Sequence, residues 1–291
     1  METRIQHFIL TRFNLLLWNK DKEGKKVRSA SWLTHRFELF ERYCLPSIIG
    51  QTCQEFKWIV LFDSTKPDRY NEKIAEYQKE CPQLEPVYVR PDSGRFFAQI
   101  FRDEVVKRGL SRISELENCD NYNRVITTYM DNDDAMNMRF VEDIQKRAAE
   151  VSDGTFITYD DGYQYFTNNN YVMRIRYPRN HFMSVVERAD IELKTIYGYG
   201  SHYYIDKIDG ARIEHVKNLP MWCEVIHEKN MGNDAYFLRA KMVVDEDLLN
   251  RDFSLNETVQ SGIGIYLFRF QPRYFKTFIR RIRYLFFGRH W

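Results

Sequence analysis

Phe56-Lys57-Trp58-Ile59-Val60-Leu61-Phe62 is apolar at every position but one and stops at Asp63-Ser64-Thr65. A run this short and this apolar fits a strand buried on both faces, as in a parallel sheet covered by helices. The rest of the first 150 residues alternates as such a sheet requires. Strands are expected at 5–10, 86–89 and 124–130, and helices at 32–43, 67–80, 96–107 and 138–150. The expectation is an α/β domain with a mostly parallel central sheet flanked by helices. In such sheets ligands bind beyond the carboxyl ends of the strands. Three of these ends are polar: Thr11-Arg12-Phe13-Asn14, Asp63-Ser64-Thr65 and Asp131-Asn132-Asp133-Asp134.

The second half is less regular. Residues 155–159 and 163–166 flank Asp160-Asp161-Gly162, which reads as a hairpin turn. Tyr171–Tyr177 and Trp222–His227 add extended segments. The stretch 155–230 is expected to pack on the end of the first sheet. The division expected is one domain over 1–264, in two halves (1–150 and 151–264), followed by a tail at 265–291.

Composition removes several classes. With 291 residues, 44% hydrophobic and 29% charged, the chain is neither a disordered tail nor a small disulfide-stapled scaffold. Aromatic residues reach 15%, enough for stacking surfaces as well as core. A net charge of +2 makes no case for nucleic acid as a partner. The five cysteines form no CxxC pair, which excludes a zinc ribbon and suits a reduced, cytoplasmic setting. The apolar run Phe13–Leu17 is too short for a secretory leader, and no stretch of 18 apolar residues is available to span a membrane.

Asp131, Asp133 and Asp134 crowd three carboxylates into four residues. Their mutual repulsion calls for protons or a cation, and a hard ion with oxygen ligands, Mg²⁺ or Mn²⁺, is the natural partner. Such an ion would stabilise charge on a departing phosphate. The alternative is that Asp133 or Asp134 caps the helix that follows.

Taken together, HFILTRFN near the start, Pro46-Ser47-Ile48-Ile49-Gly50-Gln51-Thr52 before the Phe56–Phe62 strand, the DNDDA core and the late W..VIH segment form an ordered set. This set resembles family 2 glycosyltransferases, and more narrowly the bacterial "putative rhamnosyltransferase" family. The resemblance implies an A-type glycosyltransferase fold with a nucleotide-binding half (1–150) and an acceptor half (151–264), and a nucleoside-diphosphate-sugar donor. It implies that Thr11, Arg12 and Asn14 line the nucleotide pocket and that Asp63 bonds the base. It also implies that Asp131 and Asp133 face the ribose, diphosphate and metal, with His227 completing the metal shell. Arg95, after Asp92-Ser93-Gly94, is a candidate phosphate contact, or else a solvated loop residue. Two departures stand out. Tyr129 occupies a place where the family commonly has Arg, and no clear "ED" base motif is present. Glu187, Asp161 and Glu224 are the candidates for the carboxylate that deprotonates the acceptor.

Residues 265–291 carry seven Lys/Arg and no Asp or Glu, leaving 36 Lys/Arg against 41 Asp/Glu in the rest. Between Pro272 and Gly288, Arg273, Lys276, Arg280 and Arg283 recur at helical spacing opposite Phe275, Phe278, Ile282 and Leu285. This pattern predicts an amphipathic helix lying on an anionic membrane surface. The expected enzyme is therefore an inverting, metal-dependent glycosyltransferase on the inner membrane face, with a surface-glycan or lipid-linked acceptor. A nucleotidyltransferase and an inactive, membrane-peripheral sugar-binding protein are the alternatives. Deleting residues 266–291 is expected to release the protein from anionic liposomes, and unchanged co-sedimentation would contradict the anchor.

Overall fold

The strand order confirms the α/β expectation. The computed structural model describes residues 4–15, 17, 29–109, 122–189, 192–227, 240–262, 264–267, 279 and 282. In chain order its strands are β1 (Arg4–Arg12), β2 (Lys57–Asp63), β3 (Leu84–Val89), β4 (Tyr122–Tyr129), β5 (Ala135–Met136) and β6 (Thr155–Tyr159). These are followed by β7 (Asp161–Phe166), β8 (Tyr171–Arg176), β9 (Met183–Arg188), β10 (Arg212–Val216), β11 (Trp222–Ile226) and β12 (Lys241–Val243). The larger sheet has seven strands in the order β10-β6-β9-β4-β1-β2-β3. Only β9 in it runs against its neighbours β4 and β6, so the sheet is mostly parallel. A second sheet, β12-β8-β7-β11-β5, lies alongside.

The apolar run in β2 is buried on both faces, as its composition demands. Trp58, Val60 and Phe62 enter one core with Ile9, and Ile59 and Leu61 enter the other with Phe8 and Leu10. Period-two alternation thus persists inside a continuous apolar stretch, sending successive side chains to opposite helical layers. On the first face lie α1 (Ala30–Leu39), α3 (Arg69–Glu80) and α5 (Phe140–Ala148), and on the second lies α4 (Phe97–Gly109).

The expected helix at 32–43 is not one regular element. Ser29 starts α1 by accepting the Trp32 N–H, and Leu33 and Phe37 bury its apolar stripe. The chain then widens into a π-helical turn, Phe40–Cys44, before α2 (Leu45–Ile49), which has Pro46 in its first turn. Phe13, Phe37, Phe40 and Phe62 pack with ring centroids 4.5–6.4 Å apart, so much of the aromatic content is core under the β1 and β2 ends.

The hairpin expected at Asp160-Asp161-Gly162 is absent. β6 belongs to the large sheet and β7 to the small one, so the chain crosses between sheets at Asp160. β7 pairs instead with β8. The glycine serves packing, because a Cβ on Gly162 would lie 2.1 Å from the Trp222 ring. The Trp222 indole also donates to the Tyr159 carbonyl at 2.8 Å, tying the sheets together. β6, β9 and β10 complete the first sheet beside β4, and Ile9, Trp58, Ile157, Val216 and Trp222 share one core.

Beyond β12 come α6 (Leu248–Phe253) and α7 (Gly264–Leu267), and the helix expected over 272–288 lies, but for residues 279 and 282, outside the described residues. Among the described residues no helix is long and apolar enough to cross a membrane. Cys44, Cys53, Cys81 and Cys223 are free thiols, and Cys119 lies outside the described residues.

A buried polar chain crosses the sheet. His7 Nε2 is 2.7 Å from Thr128 Oγ1, which is 2.6 Å from Ser184 Oγ. Burial lowers His7 to about 3, so it is neutral in the fold but gains a proton on unfolding below its ordinary 6.5. Its contribution is present above pH 6.5 and is lost as pH falls toward 3. The expected slope is about 1.4 kcal/mol per pH unit. His7→Leu should flatten that acid limb in denaturant unfolding measured from pH 7 to 4.

Candidate active site

Three strand ends meet at one edge of the large sheet, held in register by side-chain to backbone bonds. Asn14 Oδ1 accepts the Asp63 N–H at 2.8 Å, joining the ends of β1 and β2. Asn132 Nδ2 donates to the Phe13 carbonyl at 2.7 Å, joining the ends of β1 and β4. Asp63, nearly fully buried, accepts the Thr65 N–H and hydroxyl, both at 2.7 Å, which curls the chain away from β2. A cavity of about 270 Å³ opens here, lined by Asn14, Trp32, Leu33, Asp63, Thr65 and Lys66 among others. Lys66 is itself mostly buried, and burial lowers its ammonium pKa.

The acidic cluster does not cap a helix, since the N-cap of α5 is Arg139. Its carboxylates face two different sets of partners. Asp134, fully buried, accepts the Val225 N–H at 2.8 Å through one oxygen and meets His181 Nε2 at 2.8 Å through the other. His181 Nε2 also lies 3.8 Å from Asp131 Oδ2. The ligand atoms of Asp131, Asp134 and His181 all lie within 4.8 Å of one another. Two carboxylates and an imidazole form a donor set suited to Mn²⁺ or Mg²⁺. The Val225 N–H orients Asp134 in the way outer hydrogen bonds orient metal-binding groups. Asp131 is the more open member, at 31% side-chain exposure, which leaves a side for phosphate or water. The chemistry and spacing of these residues therefore fit a divalent cation.

Asp133 points elsewhere. Its Oδ2 accepts from Arg36 Nη1 at 2.6 Å and meets His227 Nε2 at 2.9 Å. Burial alone would raise the Asp133 carboxyl, but Arg36 and His227 outweigh it and hold the group well below the usual carboxylate range. For His181, burial pulls the imidazole down, and the Asp134 bond with the Asp131 charge overcomes this and pushes it up to about 9. Burial raises Asp134 to about 6 against the pull of His181. The two groups share a proton across their 2.8 Å contact, and a cation bound through His181 would displace it.

Sequence reasoning placed Asp131, Asp133 and His227 together at the metal. The structure joins Asp133 to His227 but makes Asp131, Asp134 and His181 the compact triad. Arg12 reaches the cluster, with Nη2 bonding the Tyr129 hydroxyl at 2.6 Å and lying 3.8 Å from Asp131. Its guanidinium sits 4.7–5.5 Å from the ring centroids of Phe97, Tyr129 and Tyr197. Tyr129 thus carries no positive charge of its own but bridges Arg12 to Asp131, which its hydroxyl meets at 2.9 Å. Thr11 does not face the pocket, because its hydroxyl accepts the Trp58 indole N–H at 2.9 Å inside the core. Arg95 is exposed, its guanidinium 4.7 Å from the Phe96 ring centroid.

The three candidate bases occupy different places. Glu187 lies opposite Val125 in the sheet, toward the amino ends of the parallel strands. Its carboxylate accepts the N–H groups of Lys194 and Thr195 and the Tyr199 hydroxyl. Asp161 accepts the Asn218 N–H at 2.7 Å, near Arg174. Glu224, on β11 beside Val225, feels the cluster. Burial and the charge of Asp134 raise it to about 7, against the opposing effects of His181 and Gln164. His181 and Arg36 were missed from sequence. His181 had no local signal, whereas Arg36 follows Trp32 at i+4 on a helix next to a strand-end loop.

Asp134→Asn should remove the charge that holds the His181 proton. Ring-proton NMR across pH is then expected to show the His181 midpoint falling from about 9 to below 6.5. A midpoint that stays near its original position would show that Asp134 is not the dominant partner.

No curated protein matches this chain. Two solved structures similar to it are of S. aureus TarS. One, of residues 1–349 in complex with UDP, is 11% identical with a TM-score of 0.42, covering 76% of this chain and 60% of that one. The other is 12% identical with a TM-score of 0.39, covering 76% of this chain and 37% of that one. The chain thus spans less than two thirds of either structure. A family model described as "Putative rhamnosyl transferase" matches residues 6–237. That match takes in all three strand-end motifs, His181 and His227. The chain belongs to the family that this model describes.

Proposed function

We propose that the protein is an inverting, metal-dependent glycosyltransferase. It moves a hexose, rhamnose by the family's description, from a nucleoside-diphosphate sugar to a surface-glycan or lipid-linked acceptor. The observation that carries this reading is the Asp131, Asp134 and His181 triad at the end of β4, which Asn132 ties to the β1 end beside the 270 Å³ cavity.

Each group then has a task. The cavity takes the nucleoside, with Asp63 and Asn14 bonding its polar edge and Trp32 offering a ring face. Asp131, Asp134 and His181 hold the cation. Mn²⁺ or Mg²⁺ bound there supplies positive charge to the departing diphosphate. Arg12, fixed by three rings and the Tyr129 hydroxyl, adds a preorganised positive charge beside Asp131. Glu224, raised to about 7 and close in field to the cluster, takes the proton of the acceptor hydroxyl as it attacks. The basic 265–291 tail holds the enzyme at an anionic membrane surface, where a lipid-linked acceptor resides.

The test is a product assay over a panel of nucleoside-diphosphate sugars, with and without Mn²⁺. Release of free nucleoside diphosphate, dependent on the cation, is expected. Glu224→Gln should lower kcat by about 10²–10⁴-fold with little change in donor KM. Release of pyrophosphate would instead identify a nucleotidyltransferase. If Asp134→Ala and His181→Ala kept full activity, the metal assignment would fall.

A further inference from the structure

Arg36 stands between the two parts of the site. Trp32 and Arg36 are one turn apart on α1, and Trp32 lines the cavity while Arg36 reaches the acid cluster. The guanidinium lies 5.5 Å from the Trp32 ring centroid and donates to Asp133 at 2.6 Å and to Asn132 at 3.3 Å. Its side chain is only 13% exposed. The Asp133 oxygen it binds also meets His227. A guanidinium therefore compensates the one acid of the cluster that stands outside the compact triad. A buried carboxylate needs such a partner while no metal is present. Guanidinium also binds phosphate oxygens bidentately, and this one reaches from the ring of a cavity-lining residue to the acid cluster.

Building on the proposed donor site, we infer that Arg36 is a positioning residue acting as an exchangeable counter-charge. It withholds Asp133 from the cation in the free enzyme and transfers to the donor's diphosphate when nucleotide and cation bind together. Metal and nucleotide binding are thereby coupled, and the cluster holds metal weakly until a donor arrives.

The test compares wild type, Arg36→Met and Arg36→Lys. Mn²⁺ binding is measured by electron paramagnetic resonance without nucleotide, and binding of dTDP, UDP and GDP by calorimetry in saturating Mn²⁺. Arg36→Met should bind Mn²⁺ alone at least tenfold more tightly and the preferred nucleoside diphosphate at least tenfold more weakly. Arg36→Lys keeps the charge but not the planar fork. It should leave Mn²⁺ binding near wild type and still weaken the nucleotide, a readout that stands even if Arg36→Met fails to fold. A merely structural role would weaken both ligands in parallel, and that result overturns the inference, as do affinities within twofold of wild type. If wild type itself binds neither Mn²⁺ nor any of the three nucleotides, the donor-site reading falls and takes this inference with it. Wild-type binding with unaffected variants removes the inference alone.

Discussion

The site is organised by the need to neutralise buried carboxylate charge at the end of β4. Asp133 and Asp134 are both nearly fully buried, where an isolated carboxylate would not stay ionised. Each is compensated by a different part of the chain. Asp133 takes Arg36 from α1 and His227 from the end of β11, and Asp134 takes His181 and the Val225 N–H. Breaking either pair would leave a buried charge alone, at a cost of about 3–5 kcal/mol. The four residues at the end of β4 therefore fix where α1, β11 and the loop before β9 must lie, and these elements in turn frame the cavity and the cluster.

The scaffold beneath explains how such exposed-end chemistry is held still. β2 is buried on both faces, and the aromatic side chains of Phe13, Phe37, Phe40 and Phe62 pack under the strand ends. The binding edge is thus set by rigid strands and short side-chain to backbone bonds, not by a long loop. Arg12 follows the same pattern: surrounded by three rings, it keeps one orientation toward Asp131 at little further entropic cost.

Much of this was legible in the residues. The Phe56–Phe62 run declared a doubly covered strand, and the alternation around it declared a mostly parallel sheet, because burial on two faces leaves few other solutions. Polar residues at the three strand ends marked the edge where side-chain to backbone bonds bring those ends together. The hairpin at Gly162 was misread because a glycine required by close indole packing looks, in sequence, the same as one required by a turn. Strands β9 and β10 went unseen because short strands inserted into an existing sheet carry little periodicity of their own.

What the chain decided by itself was the class of sheet, the edge that carries the candidate site and the crowding of acids there, since these follow from burial pattern and local charge. Which acid faces which cation did not follow from spacing. Asp131, Asp133 and Asp134 are neighbours in sequence, yet Asp133 is turned to Arg36 and His227 while the other two share His181. The partners of Asp133 and Asp134 among these lie 47 to 97 positions away, with Arg36 before them and His181 and His227 after. Only the packing of α1, β9 and β11 around β4 brings those side chains within bonding distance, because a charge pair between distant segments is encoded in the path of the backbone and not in any local pattern.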